Sequence, residues 1–188
     1  MGRRNPVEQA DLKVARAVAP VRRSLPVRVL GKASELADQP PLITICAATM
    51  LWGLLRGNRS LANAGGRMLA AELVATALKS AVKHQVDRTR PRVVVDGGDY
   101  RLEHGHDHAA EANSFPSGHT AGAVAVARAV ARSYPDQRAA AYLGATAVAA
   151  IQVPRCQHYP SDLAAGAVIG LAAEAGIAGA ERLIAANA

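Results

Sequence analysis

The apolar residues of this chain fall into five long segments that short polar stretches separate. The segments cover residues 42–55, 61–82, 117–133, 139–153 and 163–184. Turn-forming sequences at 56–59 and 133–137 join neighbouring segments into helical hairpins. Half of the chain is apolar, but it has one Phe and one Trp, which favours close-packed helices over β-sheet. We predict an all-α helical bundle in which residues 92–116 form one long loop, of a length that is usually functional or disordered.

The first 39 residues differ from the rest because they are basic and interrupted by prolines. The arginine pair near the start is not followed by an apolar core, so no export signal is predicted. Further along, Pro20 and Pro26 break a stretch that mixes apolar and basic residues. We interpret residues 1–39 as a basic amphipathic segment on a membrane surface, and residues 40–188 as the helical domain.

The length and polarity of the five segments decide whether they cross a bilayer. A spanning helix needs about 20 apolar residues, and the first segment has fourteen before Arg56. Against this, Gly166 and Gly170 stand four residues apart, as small residues do where membrane helices pack. We predict an integral membrane protein with about five spans, whose charged residues face the bundle interior. A soluble Ala-rich bundle is the alternative.

The formal net charge of +7 restricts the partners to nucleic acid, an anionic membrane surface or a phosphorylated substrate. Nucleic acid is disfavoured, because the sequence has no zinc-ligand spacing, aromatic stacking set or continuous basic helix. Cys46 and Cys156 do not make a disulfide framework, and Cys46 is predicted to be a buried free thiol. No pattern indicates the oligomeric state.

The first of three polar clusters, residues 83–91, follows the second apolar segment. Lys83 closes that helix, and Pro91 forces extended backbone on Arg90. Lys83 and Arg90 can therefore approach one point from a helix end and a loop. Alone, such a basic run is typical of a solvated membrane flank.

The second cluster, residues 114–120, opens the third apolar segment. Pro116 followed by Ser117 and Gly118 leaves free backbone amides at a helix start, which is a ready anion site. His119 then lies in the first turn, where it can donate a proton to a departing oxygen.

The third cluster, residues 155–162, enters the fifth segment. His158 and Asp162 are four residues apart, so their side chains can meet on one helix face. A carboxylate bonded to one ring nitrogen fixes the tautomer and leaves the other nitrogen nucleophilic. A His–Asp pair alone is more often structural.

Together the clusters resemble the motifs of the type 2 phosphatidic acid phosphatase family, which shares its core with bacterial acid phosphatases and vanadium haloperoxidases. The matches are Lys-x6-Arg-Pro at Lys83, Arg90 and Pro91, Pro-Ser-Gly-His at 116–119, and part of Arg-x5-His-x3-Asp at His158 and Asp162. The resemblance implies that residues 40–188 form a helical phosphatase domain.

The resemblance also implies a reaction that needs no metal and no cofactor. His158 would attack phosphorus to form a phosphohistidine, with Asp162 orienting its ring. His119 would protonate the leaving alkoxide and then activate water. The phosphoryl oxygens would be held by Lys83, Arg90, Arg155, Ser117 and the Gly118 amide.

The third motif departs from the family pattern at its arginine. The position six before His158 is Gln152, and the nearest arginine, Arg155, stands only three before it. Either Arg155 reaches the phosphate from an altered backbone, or Gln152 acts as a neutral donor. We favour Arg155, because a guanidinium makes bidentate, charge-assisted bonds to phosphate.

Alternating histidines occur in the loop at His104, His106 and His108. Such a tract could bind a transition metal. We favour a flexible polar lid, because the implied mechanism has no use for a metal.

Charge asymmetry predicts the orientation in the membrane. Five spans place all three clusters and the N-terminus on one face, which carries eleven Lys and Arg residues outside the site, against three on the other face. Because cytoplasmic loops are rich in Lys and Arg, we predict a multi-pass protein of the cell inner (plasma) membrane with a cytoplasm-facing site.

The predicted function is hydrolysis of a lipid phosphate monoester, either a polyprenyl-linked sugar phosphate or a phosphatidyl-type phosphate. A polyprenyl diphosphate phosphatase and a soluble non-specific acid phosphatase are alternatives within the superfamily, whereas haloperoxidase chains are much longer. Because the third motif is altered, one alternative from another functional class remains: a non-catalytic membrane protein that binds anionic lipid.

Overall fold

The computed structural model describes residues 5–105 and 109–187 of the chain. The helices in these ranges are α1 (Pro6–Val18), α2 (Leu25–Ser34), α3 (Gln39–Leu55), α4 (Arg59–Lys83), α5 (Pro91–Val95), α6 (Gly118–Ser133), α7 (Arg138–Gln152) and α8 (Pro160–Ala186). Each of the five predicted apolar segments corresponds to one long helix. The mostly helical architecture confirms the predicted fold class at this level.

Helix α6 lies at the centre, against α4, α7 and α8, and α3 packs on α4. Small residues allow this close approach. A Cβ added to Gly166 would lie 2.5 Å from the Ser117 carbonyl oxygen, and one added to Gly170 would lie 2.4 Å from the Ala121 carbonyl oxygen. The glycine pair therefore forms a helix contact, as its spacing predicts, and brings the start of α8 beside the start of α6.

Charged residues within the apolar helices point inward, while large apolar residues point outward. Glu174 is 1% exposed and pairs with Arg128 at 2.7 Å and Arg132 at 2.9 Å. In contrast, Leu55 on α3 and Leu143 on α7 are 80% and 70% exposed. The predicted inward orientation of charges is thus confirmed for Glu174, and the exposed leucines form the kind of surface that a membrane covers.

The long helices differ in whether their length and composition would let them cross a membrane. Among the described residues, only α8 is both long and apolar enough to cross a membrane, and α3 is a shorter apolar helix of 17 residues. The five-span topology is therefore not confirmed and remains a proposal.

The N-terminal segment consists of α1 and α2, separated by a tight turn, as the prolines predict. Helix α1 packs Leu12 and Ala15 against Tyr159, which precedes α8. Helix α2 exposes Leu25 and Val29, so a membrane-surface role for α2 remains a prediction. The division at residue 39 also remains a prediction, although α1 is packed on the bundle.

The connection between α4 and α6 contains more structure than the predicted long loop. Strands β1 (Val86–Arg88) and β2 (Leu102–His104) pair antiparallel, and α5 lies between them, with Pro91 as its first residue. Arg90 is extended, with φ −65° and ψ 147°, as Pro91 predicts. The Ser114 amide donates to the Arg88 carbonyl at 3.0 Å, which fixes the chain just before α6. The sequence missed the strands because each has only three residues.

Candidate active site

The three polar clusters meet at one end of the bundle. The Ser117 amide, before α6, donates to the Asp162 carbonyl at 3.1 Å. Lys83 and Arg90 both donate to the carbonyl oxygen of Asn113, at 3.2 and 3.4 Å. The structure therefore brings together the end of α4, the start of α6 and the start of α8, as the motifs predict.

His158 is 3% exposed, and its ring is held by the main chain. Nδ1 lies 2.7 Å from the Ser114 carbonyl oxygen. Because a carbonyl only accepts hydrogen bonds, Nδ1 carries the proton and Nε2 keeps its lone pair. Burial lowers the pKa of His158, which favours the neutral ring. The arrangement supplies a neutral imidazole with one free nitrogen, as a nucleophile requires.

Asp162 does not bind the ring directly, in contrast to the expected orienting contact. Its nearest oxygen is 3.8 Å from Nδ1 of His158, beyond hydrogen-bonding distance. The carboxylate instead accepts from the Ser114 hydroxyl at 2.6 Å and from the Tyr159 amide at 2.8 Å. Asp162 thus positions Ser114, whose carbonyl positions His158. Its charge is still close enough to stabilise a cationic ring.

Arg88 lies behind Asp162 and was not predicted as a site residue. Its guanidinium donates to Asp162 at 2.5 Å and to Asp11 of α1 at 2.7 Å, and it is 3% exposed. It also stacks 4.3 Å from the centre of the Tyr159 ring. Asp11 accepts further hydrogen bonds from the amide and the hydroxyl of Ser161. A buried network therefore ties α1 to the start of α8.

A signal for part of this network was present in the sequence. Arg88 lies inside the first cluster, two residues before Arg90, and a charged residue so close to a motif is a candidate partner. Asp11 carries no comparable signal, since it is one of several charged residues on an amphipathic helix.

His119 lies in the first turn of α6 and faces two carboxylates. One of its ring nitrogens is within 4.8 Å of carboxylate oxygens of Glu35 and Asp38, in the turn that follows α2. Nε2 of His119 has no hydrogen-bond partner among the described residues. The three side chains are close enough to share a cation, but Glu35 is already paired with Arg155. Nε2 of His119 is thus a buried nitrogen that its neighbours in the described ranges leave without a hydrogen bond.

The cations at the site are crowded. Lys83 follows the apolar segment 61–82 and is half-buried, and burial, reinforced by the neighbouring Arg90, lowers its pKa to about 8. Arg90 donates to the side-chain oxygen of Gln157 at 2.5 Å. Lys79, one turn before Lys83, lies with Nζ 3.1 Å from the place that a Gly118 Cβ would occupy. Lys79 is therefore a further cation at the start of α6 that the motifs do not include.

Ser117 caps α6, and Gly118 is its first residue. The buried Ser117 hydroxyl accepts from the Thr120 amide at 3.4 Å and from the Thr120 hydroxyl at 3.0 Å. Its own proton is left to donate. The hydroxyl and the amides of this first turn are hydrogen-bond donors at the N-terminus of a helix of 16 residues, the kind of helix end that suits an anion.

The two candidates for the displaced arginine occupy different places. Gln152 is fully buried, and its amide nitrogen donates to the Ser34 hydroxyl at 3.2 Å and the Val148 carbonyl at 3.1 Å. Arg155 donates to Ser34 at 2.9 Å and is paired with Glu35. Gln152 therefore uses its donor inside the fold, while Arg155 stands beside the carboxylates that face His119.

The backbone next to Arg155 has an unusual conformation. The next residue, Cys156, has φ 54°, a left-handed conformation that is uncommon for a residue other than Gly. Gly31 of α2 allows the arginine to pass, since a Cβ there would come within 2.9 Å of its side chain. Arg155 is thus held against α2.

The remaining sequence predictions concern Cys46 and the histidines of the loop. Cys46 is a buried free thiol, as predicted. His104 is exposed in β2, and His106 and His108 lie outside the described residues. His104 stands opposite Val86 of the first cluster, because β2 pairs with β1, and its side chain is exposed.

Comparisons with known proteins agree with this geometry. The sequence model of the PAP2 superfamily matches residues 64–180. Among solved structures, the fold is similar to the crystal structure of the first transmembrane PAP2 type phosphatidylglycerolphosphate phosphatase from Bacillus subtilis, with a TM-score of 0.64 and 20% identity over 96% of this chain and 89% of that chain.

The crystal structure of Aquifex aeolicus LpxE is similar to the same extent, with a TM-score of 0.63 and 20% identity over 88% of this chain and 92% of that chain. No curated protein sequence matches the chain significantly. The region matched by the family contains all three clusters and more than half of the chain. The resemblance drawn from the motifs is therefore confirmed, and the chain belongs to the PAP2 superfamily.

Proposed function

We propose that this protein is a membrane phosphatase that hydrolyses a lipid phosphate monoester through a phosphohistidine. The observation that carries the proposal is the hydrogen bond from Nδ1 of His158 to the Ser114 carbonyl. It leaves Nε2 unprotonated on a ring that is close enough to Lys83 and Arg90 to feel their charges. A neutral nucleophile next to two cations suits attack on a phosphate dianion.

The reaction then proceeds in two displacements. Nε2 of His158 forms a bond to phosphorus while the bond from phosphorus to the leaving oxygen breaks, and His119 gives that oxygen its proton. His119 next removes a proton from water, whose oxygen attacks phosphorus and breaks the bond to nitrogen. Inorganic phosphate leaves, and both histidines return to their initial states. Asp162 stabilises the cationic ring of the intermediate.

Three groups of donors are proposed to hold the phosphoryl oxygens. Lys83 and Arg90 approach from the first cluster, and the Ser117 hydroxyl and Gly118 amide from the start of α6. Arg155 joins them by exchanging Glu35 for a phosphoryl oxygen. A guanidinium that leaves a carboxylate for a phosphate exchanges one charge-assisted hydrogen bond for another and can bind the phosphate through two nitrogens.

A phosphorylated lipid fits the site better than a soluble ester. The three clusters lie at the end of a bundle with exposed leucines. A similar fold is found in a transmembrane phosphatidylglycerolphosphate phosphatase. A phosphatidyl-type phosphate or a polyprenyl-linked sugar phosphate combines the required apolar chain and phosphate monoester.

Phosphate release by the purified protein in detergent tests the proposal. We expect release from a lipid monophosphate in the presence of a chelator. KM should rise as the pH rises through about 8, because Lys83 loses its proton there and attracts the phosphate less. The variant Lys83→Arg keeps its charge and should lose this rise. Absence of release from every lipid monophosphate would contradict the proposal, and release from a diphosphate alone would redefine the substrate.

We further propose that α3, α4, α6, α7 and α8 cross the inner membrane and that the site faces the cytoplasm. The excess of Lys and Arg on the face of the site supports this orientation. In intact cells, an impermeant thiol reagent should label Arg56→Cys but not Asp99→Cys. The two native cysteines are buried and give little background. Labelling of Asp99→Cys alone would reverse the orientation.

A further inference from the structure

An apolar groove of about 510 Å³ opens between the turn after α2, α3, α6 and α7. Small side chains make it, because Ala123 and Ala127 of α6 and Ala145 of α7 are buried but reach only a short way into the space. Leu42 and Ile45 of α3 form the opposite wall. The groove has the volume of a ligand site, and its lining is almost entirely apolar.

The groove begins close to His119 of the catalytic cluster. His119, Ala123 and Ala127 are spaced by four residues, so they follow one another along a single face of α6. At the end of the groove nearest His119, Leu36 and Ala37 line it. They belong to the turn whose Glu35 and Asp38 face His119. One end of the apolar groove therefore lies next to the polar side chains of His119, Glu35 and Asp38.

We infer that this groove binds the hydrocarbon chain of the lipid substrate, with the phosphate at His119 and His158. The inference rests on the proposed function for the identity of the head group. A single occupant with an apolar chain and a terminal phosphate matches the groove and the neighbouring catalytic cluster at once. A helix from a partner protein would fill the groove but leave the catalytic cluster empty.

Chain length should then control affinity. Alkylphosphonates are suitable probes, because their phosphorus–carbon bond resists hydrolysis and their binding does not depend on turnover. For chains of four to ten carbons, used below the concentration at which they form micelles, Kd should fall by up to about four-fold for each added methylene. Isothermal titration calorimetry on the detergent-solubilised full chain measures this series.

Gly144 offers a way to fill the groove without disturbing the core. It lines the groove and is exposed, and a Cβ built on it meets nothing within 4 Å. The variant Gly144→Phe should reduce the gain in affinity between four and ten carbons at least ten-fold. The matched control is Ala147→Phe, because Ala147 is exposed on the same helix but does not line the groove.

The outcomes separate this inference from the proposed function. An unchanged chain-length dependence in Gly144→Phe, or an equal loss in both variants, would overturn the groove as the chain site. A flat series in the wild-type protein would do the same. If the phosphonates bind as expected but no lipid phosphate is hydrolysed, the groove stands and the phosphatase assignment fails.

Discussion

Replacement of His158 by Ala should reduce phosphate release by at least about 10⁴-fold, the scale on which loss of a nucleophile acts in enzymes that form covalent intermediates. Its Nε2 is the only free nitrogen on the buried ring, and the Ser114 carbonyl holds that ring in one tautomer. No water bound in its place has the same nucleophilicity at phosphorus. The measurement is single-turnover phosphate release from a lipid monophosphate.

His84→Ala is the matched control, since His84 is exposed at the end of α4 and its replacement should leave the rate within about two-fold of wild type.

The variant His119→Gln provides the complementary test. It should slow turnover by about 10²–10⁴-fold and allow an acid-labile phosphorylated protein to accumulate from a substrate with a good leaving group. His158→Ala with wild-type activity would show that another residue attacks phosphorus.

Sequence spacing predicted which helix ends meet, because the chemistry-bearing residues stand at the points where apolar segments begin and end. Lys83, Arg90 and His119 converge for that reason. The spacing could not predict that a main-chain carbonyl orients His158, since a carbonyl has no sequence signature. The i, i+4 relation of His158 and Asp162 brings the side chains to 3.8 Å, but Ser114 and Tyr159 occupy the carboxylate.

Residues outside the motifs were missed for a different physical reason. Lys79 reaches the site because the start of α6 packs against α4, and Asp11 reaches it because α1 folds back on α8. Such long-range contacts depend on tertiary packing, which local patterns do not encode. Arg155 was identified from its chemistry, but its pairing with Glu35 and its passage over Gly31 depend on α2.

The groove was also beyond sequence reasoning. The alanines that form its floor follow the same pattern as the alanines that fill the core between α4 and α6, such as Ala125 and Ala129. The difference lies in what faces them. Ala123 and Ala127 face the gap between α3 and α7, and only the arrangement of the helices shows that the gap exists.

Replacement of Arg88 by Met should lower the free energy of unfolding by about 3–5 kcal/mol, because it leaves two buried carboxylates without their shared cation. Asp11 and Asp162 are 3% and 0% exposed and both bind this guanidinium. Denaturant unfolding of the detergent-solubilised protein measures the change. Arg101→Met is the matched control, since its pair with Glu103 is 3.8 Å long and lies at the surface, where removal costs about 0–1 kcal/mol.

The double variant Arg88→Met with Asp11→Asn distinguishes a charge effect from lost packing. If uncompensated charge causes the loss, removing the Asp11 carboxylate should recover part of the stability, so the two changes should be non-additive. Activity should not recover to the same degree. Asp162 would still lack the donor that holds it against Ser114, and Ser114 carries the carbonyl that orients His158. A loss in Arg88→Met no greater than that in Arg101→Met would mean that the buried network does not support the site.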